Sequence, residues 1–469
     1  MAGHDSSNIA LGRFKDGNSV GIRDALNGKT GALYLGPRNT ACASMGHFRP
    51  RVPANSRHMN VKDLKGKTIA FAASGGLDSC TITHWLTSEG VKVVCFTADL
   101  AQPDETDFSA IETRMRACGA VDFIGMPLQR EMAEAGIEGI QAQCCYEGRY
   151  WCTTPLGRQV TTKGMVEAVQ KRGIKIISHG ATGRGNDQVR FQLIANMLDP
   201  TLQVYAPWRD EAFLGRFGGR IQMIEYCEQH GLPVKASRDK PYSTDANLLG
   251  LTHEGGQLEL LSTPAHFVTA EMGVWADKAP DKAQEVTIRF ERGRPVRFDG
   301  EAVDALSAMK RANEIGGRHG VGIGLHLVEN RFVGVKSRGV YEAPGMELIG
   351  TAYGFLLQLI LDRRARELFD QISAALTKQL YQGYWNDVAS RMGRKAIAET
   401  AELATGTIKV QLYKGNVTFI SAEDAPHSLF SKDGSMEAEG TFDHKDSEGF
   451  LGVLGVHARA LAKAGQIKE

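Results

Sequence analysis

No two cysteines in this 469-residue chain stand in a C-x-x-C pair. Cys42, Cys80, Cys95, Cys118, Cys144, Cys145, Cys152 and Cys227 therefore support neither a zinc knuckle nor a thioredoxin-type redox couple. No apolar run approaches the about 20 residues that a membrane-spanning helix needs. The formal net charge is only +1, so no global field favours nucleic acid or an anionic membrane. His253 and Glu254 are adjacent but lack the H-E-x-x-H spacing of a catalytic zinc site. Internal repeats, low-complexity tracts and a signal peptide are not visible. The expectation is a cytoplasmic protein with reduced thiols and no bound metal of its own.

What is there is a run from Lys67 to Cys80, KTIAFAASGGLDSC. Thr68 to Ala73 form a short apolar run that reads as a buried parallel strand. Ser74, Gly75 and Gly76 make a turn, and Thr81 to Glu89 carry a helical pattern that stops at Gly90. Two adjacent glycines at a helix N-terminus let backbone N–H groups approach an anion, where the helix dipole adds partial positive charge. This is not a Walker A loop, because no Lys-Ser or Lys-Thr follows the glycines, and not the dinucleotide fingerprint, because G-x-G-x-x-G spacing is absent. SGGLDS resembles the pyrophosphate loop of the N-type ATP pyrophosphatases, whose members adenylate a carbonyl oxygen. A plain glycine turn between strand and helix is the other reading.

Residues 1–60 carry eight basic and three acidic residues with no sustained period. They read as a poorly ordered extension, with an organelle transit segment as the alternative. From residue 61 a βα rhythm begins. Strands are expected at Val91–Thr97, Val121–Gly125, Ile174–Ser178 and Leu202–Ala206. Helices are expected after Asp107, at Glu131–Gln143 and at Gln159–Lys171. Residues 61–235 are therefore an α/β, parallel-sheet nucleotide-binding domain. The rhythm then changes. Glu285–Phe290 with Arg294–Phe298, and Gly406–Ile420, alternate apolar and polar residues as half-buried hairpins. Helical patterns lie near 301–315, 346–362 and 364–382. Residues 236–445 read as an α+β domain, and 446–469 as a C-terminal helix.

Three further stretches carry chemistry. His179 to Arg190, HGATGRGNDQVR, opens a second glycine-rich, anion-friendly loop before a helix, with Arg190 one turn after Asn186. A helix-capping turn is its bland alternative. Lys240 to Glu259 is dense in polar residues and reads as a loop, either surface filler or suited to a zwitterion. Arg331, Lys336 and Arg338 in VENRFVGVKSRGVY read as a solvated basic face, while Glu329 and Tyr341 there suit a ligand.

HGATGRGNDQVRF, YSTDANLLGLTHEGG and VENRFVGVKSRGVYEAPG, in this order and spacing, resemble the argininosuccinate synthase family from about residue 66 to 455. The resemblance implies a synthetase domain over 236–445 and ATP-dependent joining of citrulline to aspartate through a citrullyl-adenylate. The products would be argininosuccinate, AMP and pyrophosphate. It further implies Mg²⁺ and a homotetramer. The alternative is a paralogue that adenylates another ureido or carboxylate substrate.

Carried over by position, Ala72, Ala73, Ser74, Gly75, Gly76, Leu77, Asp78, Ser79 and Cys80 would hold ATP, with Ala98, Gly180 and Thr182. Thr182, Asn186 and Asp187 would hold aspartate. Tyr150, Thr154, Asn186, Arg190, Ser243, Thr252, Glu254, Glu329 and Tyr341 would contact citrulline. Asp78, Asp187 and Arg158 are the candidate catalytic residues. Ala73 stands where the family commonly has an aromatic, Cys80 where it has Ser or Thr, and Arg184 where Lys is usual.

Overall fold

The computed structural model describes residues 59–467 apart from 104, 235–240, 435 and 437–442, together with strands β1 (Gly12–Arg13), β2 (Val20–Arg23) and β3 (Thr30–Ala32). The chain divides into two compact units, Met1–Arg57 and His58–Glu469. In the first, β1, β2 and β3 form a small antiparallel sheet. The expectation for the extension otherwise lies outside the described residues.

The second unit opens with βα alternation. In chain order come β4 (Thr68–Ala72), α1 (Leu77–Ser88), β5 (Lys92–Asp99), α2 (Phe108–Ala117), β6 (Asp122–Pro127), α3 (Gln129–Gln141) and α4 (Thr153–Arg172). They are followed by β7 (Ile176–His179), α5 (Asp187–Leu198), β8 (Gln203–Tyr205), α6 (Glu211–Arg216) and α7 (Arg220–Gln229). The five strands form one parallel sheet in the order β6-β5-β4-β7-β8. Strands covered on both faces need apolar side chains on both. Ile69, Phe71, Val93 and Cys95 pack with Trp85, Ile111 and Met115 on one side. Ala70, Val94 and Phe96 pack with Val166, Val169 and Ala195 on the other. Asp107 caps α2 by accepting from Ala110 N at 3.0 Å, and Gly173 closes α4 in the left-handed region.

Helix α4 starts at Thr153, before the expected Gln159. Pro155 and Gly157 look like breakers in sequence. In the first turn, however, a proline forfeits no intrahelical hydrogen bond.

Strand order reverses between β4 and β7, which are direct neighbours with Ala72 opposite His179. Ligands of open parallel sheets bind beyond the carboxyl ends of strands at such a reversal. Both glycine-rich loops start there.

The rest of the unit is antiparallel and helical. It contains β9 (Ser243–Asn247), β10 (Gly250–Glu254), β11 (Gln284–Glu291), β12 (Arg294–Phe298), β13 (Glu301–Ala302), α8 (Ala305–Arg318), β14 (Ile323–Asn330) and β15 (Lys336–Glu342). Then come α9 (Pro344–Ile360), α10 (Arg363–Gln382), α11 (Val388–Leu403), β16 (Gly406–Tyr413), β17 (Asn416–Glu423) and α12 (Asp446–Lys463). One sheet has the order β14-β15-β10-β9, the other β13-β12-β11-β16-β17. The polar stretch read as a loop after Lys240 is thus largely a hairpin. The largest core joins Met132, Ile137 and Leu156 to Leu249, Ile288, Met346 and Leu356, so it is continuous across position 235. Among the described residues, no helix is long and apolar enough to cross a membrane.

Candidate active site

Two adjoining cavities open at the strand-order reversal. The larger, about 590 Å³, lies over the ends of β4, β5 and β7 and is lined by Ala72 to Ser79, Phe96 to Ala98, His179 and Gly180. The smaller, about 250 Å³, lies between the loop after β7 and the sheet of β10 and β15. Asp78, Gly180, Ala181, Asp187 and Asp245 line both.

The larger cavity is built from the turn after β4. Gly75 has φ +77°, and a Cβ there would meet Arg114 Nη2 and Ile111 Cγ2 at 2.9 Å each. Only glycine suits that combination of backbone and space. Ser74 N donates to Ser79 Oγ at 2.9 Å, which ties the turn to the helix it opens. Arg114 pairs with Glu105 at 2.8 Å and lines the same cavity. Asp78, in the first turn of α1, is half-buried rather than exposed, and Trp208 Nε1 donates to its Oδ1 at 3.2 Å. Burial raises its pKa, against that hydrogen bond and the charge of Arg220. His179 accepts from Ala181 N at 3.2 Å through Nδ1, leaving its buried Nε2 without a partner among the described residues. Burial, and then Arg209, push its pKa down to about 3, so the ring is neutral.

Between the cavities runs a chain of charges. Arg158 Nη2 meets Asp245 Oδ2 at 2.6 Å and Arg158 Nε meets Asp187 Oδ2 at 2.8 Å. Asp187 Oδ1 in turn receives Arg190 Nη1 at 2.8 Å. Burial opposes ionisation of Asp187, but Arg158 and Arg190 outweigh it and hold the carboxyl below its usual range.

The smaller cavity owes its polar wall to the period of two. Across β9 and β10, Ser243 faces Glu254 and Asp245 faces Thr252, while Thr252 faces Tyr341 of β15. All five therefore lie on one face of the sheet. His253, on the opposite face, pairs with Glu342 at 2.6 Å, and Glu342 also accepts from Glu271 N and Met272 N. Thr154 Oγ1 lies 3.1 Å from Thr252 Oγ1, and Thr154 N donates to Tyr150 Oη at 2.9 Å. Gln143, Glu147 and Cys152 all have φ near +50° in the segment that presents Tyr150, strain of the sort found at ligand sites.

Asn186 does not cap α5 with its side chain. Its Nδ2 donates to Tyr381 Oη at 3.0 Å and its Oδ1 accepts from Phe332 N at 3.0 Å. The bland capping reading of this loop therefore does not account for Asn186.

Tyr150, Thr154, Thr182, Asn186, Asp187, Arg190, Thr252, Glu254, Glu329 and Tyr341 all line the smaller cavity. Ala72 to Ser79, Ala98, Gly180, Arg158 and Ser243 line the larger one. Ser243 is thus set apart from the other residues carried over for citrulline, and Thr182 from those carried over for ATP. Cys80 lies behind the loop, fully buried, with Sγ 3.8 Å from Gly75 O. Arg338 is not part of a solvated face. It is buried and donates to His326 Nε2 and to the carbonyls of Leu258 and Leu260.

Sequence reasoning missed Arg114, Trp208, Asp245 and Tyr381, and read Arg331, which lines the smaller cavity, as part of a basic face. Asp245 sits inside a stretch already singled out. Arg114, Trp208 and Tyr381 carried no local signal.

The family model described as arginosuccinate synthase N-terminal HUP domain matches residues 68–233, and that of the C-terminal domain matches 242–461. An argininosuccinate synthase from Rhodopirellula baltica is 40% identical over 400 residues, covering 85% of this chain and 98% of the relative. One from Thermotoga maritima is 38% identical over 409 residues, with 85% and 98% covered. One from Nitratidesulfovibrio vulgaris is 38% identical over 400 residues, with 85% and 99% covered.

Proposed function

The chain belongs to the argininosuccinate synthase family, and from that premise we propose that it condenses citrulline with aspartate at the expense of ATP. The reading takes the larger cavity for ATP and the smaller for the two amino acids. Its carrying observation is that Asp187, held by Arg158 and Arg190, stands on the wall common to both cavities.

A urea oxygen is a poor leaving group, so AMP must first be attached to it. The ureido oxygen attacks the α-phosphorus, and pyrophosphate leaves against the backbone N–H groups of Gly75 to Ser79 at the N-terminus of α1. Arg114 adds a fixed cation beside Gly75. The aspartate amine then displaces AMP.

For citrulline, Glu329 suits the α-ammonium and Arg190 the α-carboxylate, both being buried and pre-oriented. Thr154, Thr252 and Tyr150 offer neutral polar atoms to the rest of the molecule. Thr182, Asn186 and Asp187, from the loop after β7 and the first turn of α5, suit aspartate.

Mg²⁺ enters the proposal with ATP. Among the described residues no group of three or more His, Cys, Asp or Glu is placed to hold a metal by itself. Asp78 is the loop carboxylate that would hold it jointly with phosphate oxygens, as Mg²⁺ commonly is. When bound it neutralises charge developing on pyrophosphate.

We assign the nucleotide part to residues 61–235 and the synthetase part to 236–445, and place the enzyme in the cytoplasm as a homotetramer. The apolar face of α12 supports the assembly. Phe450, Leu451, Val453 and Val456 are each more than 60% exposed in the single chain.

The test is the fate of an ¹⁸O label placed in the ureido oxygen of citrulline. It should appear in AMP. Label found in pyrophosphate or water would refute the adenylate.

A further inference from the structure

Among the described residues, five carboxylates but only two arginines, Arg190 and Arg331, line the smaller cavity. Arg190 is engaged: its Nη1 pairs with Asp187 at 2.8 Å and its Nε donates to the carbonyl of Tyr381 at 3.0 Å. Arg331 is half-buried, and among the described residues no carboxylate pairs with it and no group accepts a hydrogen bond from its guanidinium. Glu254 feels its charge without pairing with it.

The backbone holds this free cation against the loop proposed for aspartate. Asn186 Nδ2 donates to the carbonyl of Asn330 at 3.1 Å, and Asn186 Oδ1 accepts from Phe332 N at 3.0 Å. The residues on either side of Arg331 are thus both gripped by one side chain of that loop. Within the turn between β14 and β15, Arg331 N donates to Val335 O at 2.9 Å and Arg331 O accepts from Gly334 N at 3.0 Å. The second hydrogen of the Asn186 amide goes to Tyr381 Oη at 3.0 Å. That amide therefore has no hydrogen left for a substrate carboxylate, which needs another donor.

Resting on the functional reading above, we propose that Arg331 pairs with the side-chain carboxylate of aspartate and makes the second half-reaction selective for it. Citrulline enters the cavity as a neutral zwitterion. Aspartate brings a net negative charge to a wall already rich in carboxylates, so it needs an unpaired cation where citrulline does not. A neutral donor such as the Thr182 hydroxyl serves a carboxylate and an amide carbonyl alike. A cation favours the carboxylate, and so tells aspartate from asparagine. The guanidinium fork also fits both oxygens of a carboxylate at once, which fixes the direction of the substrate. The amine is then left free to reach the ureido carbon.

The experiment compares Arg331→Gln and Arg331→Lys with the native enzyme. Steady-state kinetics are measured with each substrate varied in turn, and with asparagine as a competitive inhibitor against aspartate. Thermal unfolding checks that each variant is folded. Arg331→Gln should raise the aspartate KM roughly 20- to 100-fold, while the citrulline KM, the ATP KM and the asparagine inhibition constant stay within about threefold. Arg331→Lys keeps the charge but loses the fork, so its aspartate KM should fall between the two. It supplies the same comparison should the glutamine variant be unstable. An aspartate KM within about threefold of native in folded Arg331→Gln would overturn the proposal. So would an equal rise in the citrulline KM or in the asparagine inhibition constant, because the side chain would then not be reading the second carboxylate. A native enzyme that forms no argininosuccinate from citrulline and aspartate would instead reject the functional reading itself.

Discussion

Tyr381 donates its phenolic hydrogen to Glu329 Oε2 across 52 residues of sequence, joining helix α10 to strand β14 beneath the smaller cavity. Tyr381 Oη also accepts from Asn186 Nδ2, and the backbone carbonyl of Tyr381 accepts from Arg190 Nε at 3.0 Å. Its ring lies nearly parallel to that of Tyr146, with centroids 3.9 Å apart. One tyrosine thereby orients the three residues that the proposal gives to citrulline and its neighbour.

Tyr381→Phe keeps the ring stack and removes the hydroxyl. Hydrogen bonds to charged groups contribute about 1.5–3 kcal/mol, so the citrulline KM should rise roughly ten- to a hundredfold. The ATP KM should stay within about twofold. Steady-state kinetics with each substrate varied in turn will check this. Equal rises in both constants would mean that Tyr381 supports the fold rather than the subsite.

Arg158 bridges two carboxylates with its fork, which one ammonium does not reproduce. Arg158→Lys should therefore lower kcat by about a hundredfold or more, close to the loss in Arg158→Ala. Leaving Asp187 short of a partner should also destabilise the fold, by less than the about 3–5 kcal/mol lost when a fully buried pair is broken, because the pair is part-exposed and Arg190 stays with Asp187. Because the Asp187 pKa is depressed in the folded state, its contribution is present above the ordinary carboxylate range. It is lost as pH falls through the lowered value. The Tm deficit of Arg158→Ala should thus be large at pH 7 and shrink toward pH 3. A pH-independent deficit would contradict the ion-pair account.

Asp78 shows the opposite sign. Its folded-state pKa is raised, chiefly by burial, so ionisation at neutral pH opposes folding, and protonation on lowering the pH favours it. Asp78→Asn should match or exceed the native Tm at pH 7 while losing pyrophosphate release. A folded Asp78→Asn with near-normal release would remove Asp78 from the phosphate site.

Helix α12 carries Phe450, Leu451, Val453, Leu454 and Val456 with at least half of each side chain exposed. Such a face is expected to be covered in the assembly. Deleting residues from 447 onward should lower the mass measured by light scattering from that of the proposed tetramer. An unchanged mass would remove α12 from the assembly.

The parallel sheet and its two glycine loops were legible because strands buried on both faces are continuously apolar and glycine punctuates them. The hairpin of β9 and β10 was not. Its alternation is concealed because the cavity-side face carries Ser243, Asp245, Thr252 and Glu254, and the other face mixes Thr244 and His253 with Ala246 and Leu251. Two apolar residues, one on each strand, are too few to show the period by which a strand is recognised. Arg338 was misread for a related reason. A charge in sequence looks solvated until carbonyl groups from distant segments are brought to it. Tyr381 sits at a core-facing position of the amphipathic α10, where an aromatic normally means packing. Its second role depends on contacts 51 to 195 residues away.

The most direct measurement supplies the purified protein with ATP, citrulline and aspartate, and quantifies pyrophosphate, AMP and argininosuccinate together. The three should form in equal amounts, and omitting citrulline should abolish pyrophosphate release. Vigorous release with a different ureido or carboxylate acceptor, and none with citrulline, would contradict the account in favour of a paralogue with another substrate.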